Sequence, residues 1–343
     1  SQKEKLLISV IVPTHNRLGM LQEALDTVYA QEGVGELFEM EVIVVDDTPS
    51  DATRRAMSRY PGIQYIPLET NVFVSAARNI GIKASKGEYV ALLDDDDLWV
   101  PHRLKAHVPV LETRPDVGVV YGQVLVKNYG PAHLWPDALH APSGSVFHAC
   151  LMREWVLPHC VMIRRDAFEK AGYFDENLRT MEHYDMFLRL AFHVPFAFIP
   201  GAVAIGRFSE NGKWFTNVKS GGFERAVHYI VDRALNMLPD TPERTELRRQ
   251  ADSSWLSQLI NLLEKAGQTD QMRSHVLTAL KRNPWMITES WALAVTAENA
   301  SRVASRIALS LESPITTVRT FCTEIRASVD ACKLREWLRL KWL

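Results

Sequence analysis

Residues 89–104 read YVALLDDDDLWVPHRL, an apolar stretch that ends in four consecutive aspartates, Asp94 to Asp97. The apolar part has the composition of a β-strand that is buried on both faces of a sheet. Adjacent carboxylates repel one another, so such a run is expected at a strand end only where concentrated negative charge serves a purpose. The stretch therefore predicts a buried strand that delivers carboxylates to a functional crevice.

The first half of the chain repeats this pattern of an apolar strand followed by an amphipathic helix. Alternation of this kind is typical of α/β proteins with a mostly parallel sheet. The strand and helix segments pair as 6–13 with 16–31, 40–47 with 51–60, 63–68 with 75–87, and 88–97 with 101–114.

Polar residues follow three of these strands. His15 and Asn16 come after the first strand, Asp46 and Asp47 end the second, and the aspartate run ends the fourth. Ligands of open α/β sheets bind at the carboxyl ends of the strands, so we expect these side chains to converge on one crevice.

The composition excludes several classes of protein. The chain has 343 residues, of which 47% are hydrophobic, and its formal net charge of −2 gives no general attraction to nucleic acid. Its four cysteines have neither zinc-finger spacing nor the density of a disulfide framework, so we expect a reducing, cytoplasmic environment. The apolar run before Pro13 is only about seven residues long, too short for a signal peptide or a membrane span.

The second half changes character along its length. Residues 180–192 have a helix signature, with Thr180 as the N-cap. From about residue 222 the sequence is helical throughout, and a further helix is expected to begin at Thr241 and Pro242 and to stop near Gly267. We therefore predict two domains, 1–221 as the α/β domain and 222–343 as an all-α domain.

Taken in order, four groups of segments resemble glycosyltransferase family 2. They are SVIVPTHNR (9–17), EVIVVDDTPSD (41–51), SAARNIGIKASKGEYVALLDDDDLWVPHRL (75–104), and VMIRRDAFEKAGYFDENL (161–178) with EHYDMFLRLA (182–191). The resemblance covers roughly residues 6–215. It implies a GT-A fold, which is a Rossmann-like, mostly parallel sheet flanked by helices. It also implies a nucleotide-sugar donor, most often a UDP-sugar, a divalent metal and inversion at the anomeric carbon.

The chemistry of such a transfer explains the aspartate run. A nucleoside diphosphate leaves readily only if its growing negative charge is neutralised, and Mn²⁺ or Mg²⁺ held by carboxylates can do this. By resemblance the run is the family's DxD motif, with Asp96 as the principal metal ligand, Asp94 assisting it and Asp95 directed towards the ribose. Asp97 is expected to be a helix N-terminal residue that complements the helix dipole.

The resemblance also assigns a donor-binding set. It places Asp47 on the nucleotide base and leaves Asp46 structural. His15 either stacks on the base or is an ordinary loop residue. Arg78 either contacts the diphosphate, which suits a guanidinium, or forms an ion pair on a helix face. The donor-binding set is completed by Pro13, Asn16 and Arg207, although the histidine that often follows the arginine in the family is missing here.

The expected catalytic base departs from the family pattern. The usual motif reads Glu-Asp with the aspartate as base, whereas this chain reads Glu182-His183-Tyr184-Asp185. Histidine can accept a proton near neutral pH, but Glu182 and Asp185 lie within one helical turn, so the role stays open among the three. Asp185 has an alternative role as the i,i+4 ion-pair partner of Arg189.

These inferences predict an inverting, metal-dependent glycosyltransferase that acts on a hydroxyl of a glycan, a lipid-linked glycan or another acceptor. A GT-A protein that binds nucleotide or glycan without transfer is the alternative, and His183 is its main support. A nucleotidyltransferase is disfavoured because no Gly-rich loop follows the first strand.

The C-terminal segment CKLREWLRLKWL (332–343) has two open interpretations. Its leucines and tryptophans share one helical face while its lysines and arginines supply positive charge, a pattern of interfacial helices on anionic membranes. Peripheral contact with the inner face of the membrane would follow. The alternative is a terminal helix that packs on the helical domain.

Overall fold

The computed structural model describes residues 5–127, 131–207 and 213–265. The chain divides into two compact units, residues 1–213 and 214–343. The strands are Leu7–Thr14 (β1), Glu39–Asp46 (β2), Gln64–Pro67 (β3), Tyr89–Leu92 (β4), Leu98–Trp99 (β5), Val119–Lys127 (β6), His133–Trp135 (β7), Val161–Arg164 (β8) and Phe196–Arg207 (β9). The helices of the first unit are Leu18–Tyr29 (α1), Asp51–Met57 (α2), Phe73–Ala84 (α3), Arg103–Thr113 (α4), Phe147–Met152 (α5), Arg165–Ala171 (α6) and Glu182–His193 (α7), with a 3₁₀ turn at Pro158–Cys160.

One mixed sheet organises the first unit. Its strand order is β3-β2-β1-β4-β8-β6-β9-β5, and β7 pairs with β6. The first four strands of this order are parallel, β8 is antiparallel to both β4 and β6, and β9 returns parallel to β6. The four strand and helix pairs predicted from the sequence form the parallel half, so their carboxyl ends lie along one edge.

The core of this unit lies between the parallel strands and their helices. Ile11 on β1 and Val44 on β2 are fully buried. Helix α3 approaches the sheet at Gly81, where a Cβ atom would lie 2.5 Å from the Ile11 Cγ2 atom. Only a glycine permits this close approach, which fixes the height of α3, and therefore of Arg78, above the strands.

The helix that carries the predicted base begins later than the sequence indicated. Thr180 was expected to be its N-cap, but Met181 adopts a left-handed conformation with φ of 58° and α7 begins at Glu182. The left-handed backbone of Met181 departs from the right-handed helical conformation, and the first residue of α7 follows directly after it.

The second unit contains the helices Lys213–Lys219 (α8), Gly222–Leu235 (α9) and Pro242–Lys265 (α10). Helix α10 begins at Pro242 as predicted, and the Thr241 hydroxyl accepts a hydrogen bond from the Arg244 amide at 3.4 Å. Phe223 and Trp255 join α9 to α10, with ring centroids 6.1 Å apart. The end expected near Gly267 and the segment 332–343 lie outside the described residues. Across the described ranges, no helix has both the length and the apolarity needed to cross a membrane.

Candidate active site

The carboxyl ends of the parallel strands meet at one acidic crevice. Asp95, just after β4, accepts hydrogen bonds from the Thr14 hydroxyl at 2.8 Å and the His15 amide at 3.2 Å. The His15 ring Nδ1 lies 2.6 Å from an Asp47 carboxylate oxygen. The structure thus joins the ends of β1, β2 and β4, as the positions of these residues along the sequence predicted.

The site around His15 is partly exposed to solvent. The His15 side chain is 49% exposed while Asp47 beneath it is 5% exposed, so the imidazole presents a face to solvent with a buried carboxylate behind it. The Asn16 amide donates to the Thr48 hydroxyl at 2.7 Å, and Pro13 lies in β1. Asp46 accepts from the Tyr65 hydroxyl at 2.7 Å and the Thr48 amide at 3.0 Å. Asp46 therefore holds the turn, which is the structural role expected for it.

Arg17 bridges two members of the aspartate run. Its Nη1 atom donates to Asp95 at 3.1 Å and to Asp96 at 2.5 Å. Burial and the neighbouring carboxylates of Asp97 and Asp94 raise the pKa of Asp96 to about 6, although the Arg17 charge opposes this shift. The raised pKa thus reflects burial first and crowded negative charge second, and a bound cation would relieve the charge repulsion.

Asp97 is not the helix N-terminal residue that the sequence predicted. It precedes β5, is buried, accepts a hydrogen bond from the Arg207 amide at 3.0 Å and lies 2.7 Å from His159 Nδ1. Burial opposes ionisation of both partners, but their mutual attraction lowers the pKa of Asp97 and raises that of His159. The next helix, α4, starts only at Arg103, because β5 comes between them.

His159 also completes a group of potential metal ligands. One ligand atom from each of Asp94, Asp97 and His159 lies within 4.8 Å of the others, and the described part of the chain has no second such group. Asp96, the predicted principal ligand, is outside this group because its carboxylate turns to Arg17. Sequence reasoning missed His159, whose only signal was a polar residue in the short segment before β8.

Arg78 is fully buried between two acids. Its Nη2 atom donates to Asp94 at 2.6 Å and its Nη1 atom donates to Glu182 at 2.9 Å. Burial disfavours the charged guanidinium, but the carboxylates of Asp94 and Glu182 outweigh this effect and raise the pKa of Arg78. The structure thus supports the ion-pair interpretation of Arg78, and it places the pair in the interior rather than on a helix face.

The predicted base His183 lies between two carboxylates. Its Nε2 atom is 2.5 Å from Glu154 Oε1, and its Nδ1 atom is 3.5 Å from Glu182 Oε1. Burial opposes the imidazolium, but the charges of Glu154 and Glu182 prevail and raise the pKa of His183 to about 10. His183 is therefore protonated at neutral pH and cannot accept a further proton. Sequence reasoning missed Glu154, which belongs to a loop with no recognised motif.

Asp185 pairs with Arg189 on the same helix. The two side chains are 1% and 7% exposed, and Arg189 Nη2 donates to Asp185 Oδ2 at 2.7 Å. Arg189 also donates to the backbone carbonyls of Ala171 and Tyr173. The pair therefore fastens α7 to the segment after α6, in agreement with the ion-pair interpretation of Asp185.

Arg207 closes the crevice from β9. Its side chain donates to the Asp96 carbonyl and to the Glu23 carboxylate, while its amide holds Asp97. Arg207 therefore fixes the backbone of the aspartate run.

Residues with positive backbone φ angles lie directly before or at the start of segments that carry site residues. Among the described residues, three that are not glycine have them, namely Asn16 at 52°, Phe73 at 65° and Met181 at 58°. Asn16 follows β1, Phe73 begins the helix of Arg78, and Met181 precedes Glu182. Such conformations raise the energy of the backbone and persist where the surrounding structure holds them, commonly at functional sites.

Comparison with known proteins agrees with this geometry. Residues 9–172 match the model of glycosyl transferase family 2. This part of the chain belongs to the family. The enzyme class predicted from the sequence, a glycosyltransferase, is thereby confirmed.

Bacterial relatives match this chain over different fractions of its length. An uncharacterized glycosyltransferase of Rickettsia typhi is 25% identical over 310 residues, which are 84% of this chain and 85% of the relative. An uncharacterized glycosyltransferase of Haemophilus influenzae is 26% identical over 186 residues, which are 54% of this chain and 62% of the relative.

Solved structures show the same fold at lower identity. The structure of S. aureus TarS 1–349 in complex with UDP superposes with a TM-score of 0.57 at 17% identity, covering 94% of this chain and 92% of that one. The mannosyltransferase PcManGT of Pyrobaculum calidifontis, in complex with GDP-Man and Mn²⁺, gives a TM-score of 0.55 at 20% identity, covering 92% and 83%. The predicted GT-A fold is confirmed.

Proposed function

We propose that this enzyme transfers a sugar, with inversion, from a nucleoside diphosphate sugar to an acceptor hydroxyl, and that a divalent metal assists the transfer. The observation that carries the proposal is the acidic crevice, where the ends of three parallel strands bring Asp47, Asp95 and the potential metal ligands together. Solved neighbours of the same fold bind UDP, a UDP-sugar or GDP-Man, which supports a nucleotide-sugar donor. A UDP-sugar is our preferred donor.

The described residues fit a hard divalent cation. Asp94 uses one oxygen for Arg78 and is 26% exposed, so its other oxygen can bind a ligand from the crevice. One potential ligand atom each of Asp97 and His159 lies within 4.8 Å of it, and Asp96 precedes Asp97 in the chain. A bound Mn²⁺ or Mg²⁺ would neutralise charge on the leaving diphosphate. We assign Asp94 as a metal ligand because it belongs to both candidate sets. One set is the pair Asp94 and Asp96 predicted from the sequence, and the other is the group of Asp94, Asp97 and His159 in the structure.

The remaining site residues bind and orient the donor in this proposal. The exposed face of His15 and the Asp47 carboxylate are suited to the nucleotide base, and Asp95, Pro13 and Asn16 line the adjacent end of β1. Arg78 orients Asp94 from below rather than contacting phosphate, because both of its terminal nitrogens are used within the protein. Arg207 supports the aspartate run.

A glycan or lipid-linked glycan is our proposed acceptor. The 221/222 domain boundary, the cytoplasmic location and the membrane contact of residues 332–343 stay predictions from the sequence.

The proposal is tested by ligand-dependent thermal stability and by donor hydrolysis. UDP-GlcNAc and GDP-mannose are added with Mn²⁺ or with chelator, and a ligand present at 100 times its Kd should stabilise the protein by about 2.7 kcal/mol. We expect a Mn²⁺-dependent rise in Tm that Asp94→Asn abolishes, accompanied by slow Mn²⁺-dependent hydrolysis in the wild type.

The outcomes separate the alternatives. Binding without hydrolysis or transfer would favour the binding-only protein, and undiminished activity in excess chelator would remove the metal. Asp96→Asn and Asp97→Asn, measured beside Asp94→Asn, decide which second carboxylate contributes to Mn²⁺ affinity.

A further inference from the structure

The transfer proposed above needs a group that takes the proton of the acceptor hydroxyl, and the three residues expected for this role are engaged elsewhere. His183 has a carboxylate oxygen against each ring nitrogen. Asp185 is 1% exposed and held by Arg189. Glu182 is 10% exposed and accepts from Arg78, and although burial opposes its ionisation, the contacts with His183 and Arg78 lower its pKa. Glu182 thus faces two cationic groups and little solvent, whereas a base needs a carboxylate oxygen that is open to the acceptor.

Glu154 is the most accessible carboxylate of this cluster. Its side chain is 23% exposed, more than Glu182 or Asp185, and its hydrogen bond to His183 uses the single oxygen Oε1, which lies 2.5 Å from His183 Nε2. The second carboxylate oxygen is therefore the proton-accepting atom best placed to meet an acceptor.

The loop that carries Glu154 is anchored on both sides. The Trp155 indole donates to the Ala149 carbonyl at 3.0 Å, and the Arg153 guanidinium lies 4.5 Å from the centre of the Trp155 ring. The Tyr184 hydroxyl, next to His183 in the chain, donates to the Cys150 carbonyl at 2.9 Å. These contacts fix the loop of Glu154 relative to α7, and therefore the position of Glu154 relative to His183.

A row of alternating charges connects Glu154 to the aspartate run. The contacts run from Glu154 to His183 at 2.5 Å, to Glu182 at 3.5 Å, to Arg78 at 2.9 Å and to Asp94 at 2.6 Å. Each cation lies between two carboxylates, and the row places Glu154 at the opposite end from Asp94, the proposed metal ligand. A base for inverting transfer must stand on the face opposite the leaving group.

By the family resemblance, an aspartate is expected where this chain has His183. The structure brings a carboxylate from a different element, the loop after α5, to within 2.5 Å of that histidine ring. The negative charge lost from α7 is thus supplied by Glu154 across the cluster.

We propose that Glu154 is the catalytic base of this enzyme and that His183 is a positioning residue that holds its carboxylate. The assignment rests on the proposed transfer activity. In the step, the acceptor O–H proton passes to the second oxygen of Glu154 while the acceptor oxygen forms its bond to the anomeric carbon. The bond from that carbon to the diphosphate breaks, and its electron pair leaves with the nucleoside diphosphate.

The test is the release of nucleoside diphosphate from UDP-GlcNAc and GDP-mannose by the full chain with Mn²⁺, with water or an added sugar as acceptor. Glu154→Gln keeps the shape of the side chain but removes the base, so kcat should fall by roughly 10²–10⁴-fold while the donor KM stays within about 3-fold. Glu169→Gln, at an exposed glutamate on α6, is the matched control and should behave as the wild type.

A second variant separates catalysis from a merely structural role. His183→Asp restores the family's carboxylate on α7, so the double variant Glu154→Gln/His183→Asp should recover at least about 10-fold in kcat over Glu154→Gln alone. Recovery would show that the site of the Glu154→Gln variant is still correctly built and lacks only a proton-accepting carboxylate.

Three results would overturn the assignment. Glu154→Gln could keep a kcat within about 3-fold of the control, it could change only KM, or the double variant could be no faster than Glu154→Gln. If the wild-type chain neither binds nor turns over a nucleotide sugar, the proposed function is overturned, and this assignment with it. Wild-type turnover with an active Glu154→Gln would overturn this assignment alone.

Discussion

His183 should titrate far above the usual range of histidine, and its charge should stabilise the fold. Its pKa is raised from 6.5 to about 10, because the attraction of Glu154 and Glu182 outweighs burial. A group whose pKa is higher in the folded state contributes stability that is complete below pH 6.5 and is lost as the pH rises through about 10. At 1.36 kcal/mol per pKa unit, the contribution is at most about 5 kcal/mol, and solvent around the 23% exposed Glu154 reduces it.

The measurement compares the wild type with His183→Gln. The ring signal of His183, assigned by its absence in the variant, is followed by NMR between pH 5 and pH 11, and the free energy of unfolding in urea is measured at pH 6.5, 8 and 10. We expect no titration of this ring near pH 6.5, and a stability difference between the two proteins that shrinks as the pH rises. His193→Gln, at an exposed histidine of the same helix, is the control and should leave both readouts unchanged. A ring that titrates near pH 6.5, or a stability difference that does not depend on pH, would refute the reasoning.

Two further variants test neighbouring ion pairs. Asp185→Asn should destabilise the first unit by about 3–5 kcal/mol in urea unfolding, because it leaves the Arg189 charge buried without its acid. Wild-type stability combined with lost turnover would instead return Asp185 to the catalytic candidates. Arg17→Ala should tighten Mn²⁺ binding in the donor-free protein by about 3–5-fold in calorimetry, because it removes the guanidinium that neutralises Asp95 and Asp96. The expected effect is small because solvent partly screens the 41% exposed guanidinium in the wild type. Weaker Mn²⁺ binding in this variant would contradict a competition between Arg17 and the metal.

The order of strands and helices in the first half could be predicted from the sequence because each element carries its own local signal. The segment 6–13 became Leu7–Thr14 and 40–47 became Glu39–Asp46. The start of α7 could not be predicted, because the left-handed backbone at Met181 is imposed by its surroundings rather than by its residue type.

The convergence of polar strand ends also followed from the sequence. Helical crossovers make consecutive strands parallel, so the carboxyl ends of β1, β2 and β4 must share one edge of the sheet. Any polar residue directly after such a strand is placed in the crevice, whatever its later partners. His15, Asp47 and Asp95 were brought together for this reason.

The sequence by itself thus determined the type of fold, the edge of the sheet that carries the site and the acidic run at its centre. Only the tertiary structure decided which cationic side chain pairs with each carboxylate of the site. His159 reaches Asp97 from the 3₁₀ turn before β8, and Glu154 reaches His183 from a loop without regular structure. Periodicity and capping describe neighbours along the chain, whereas these pairs form between segments whose distance is set by packing. The protonation state of His183 and the candidate base Glu154 therefore became visible only in the folded chain.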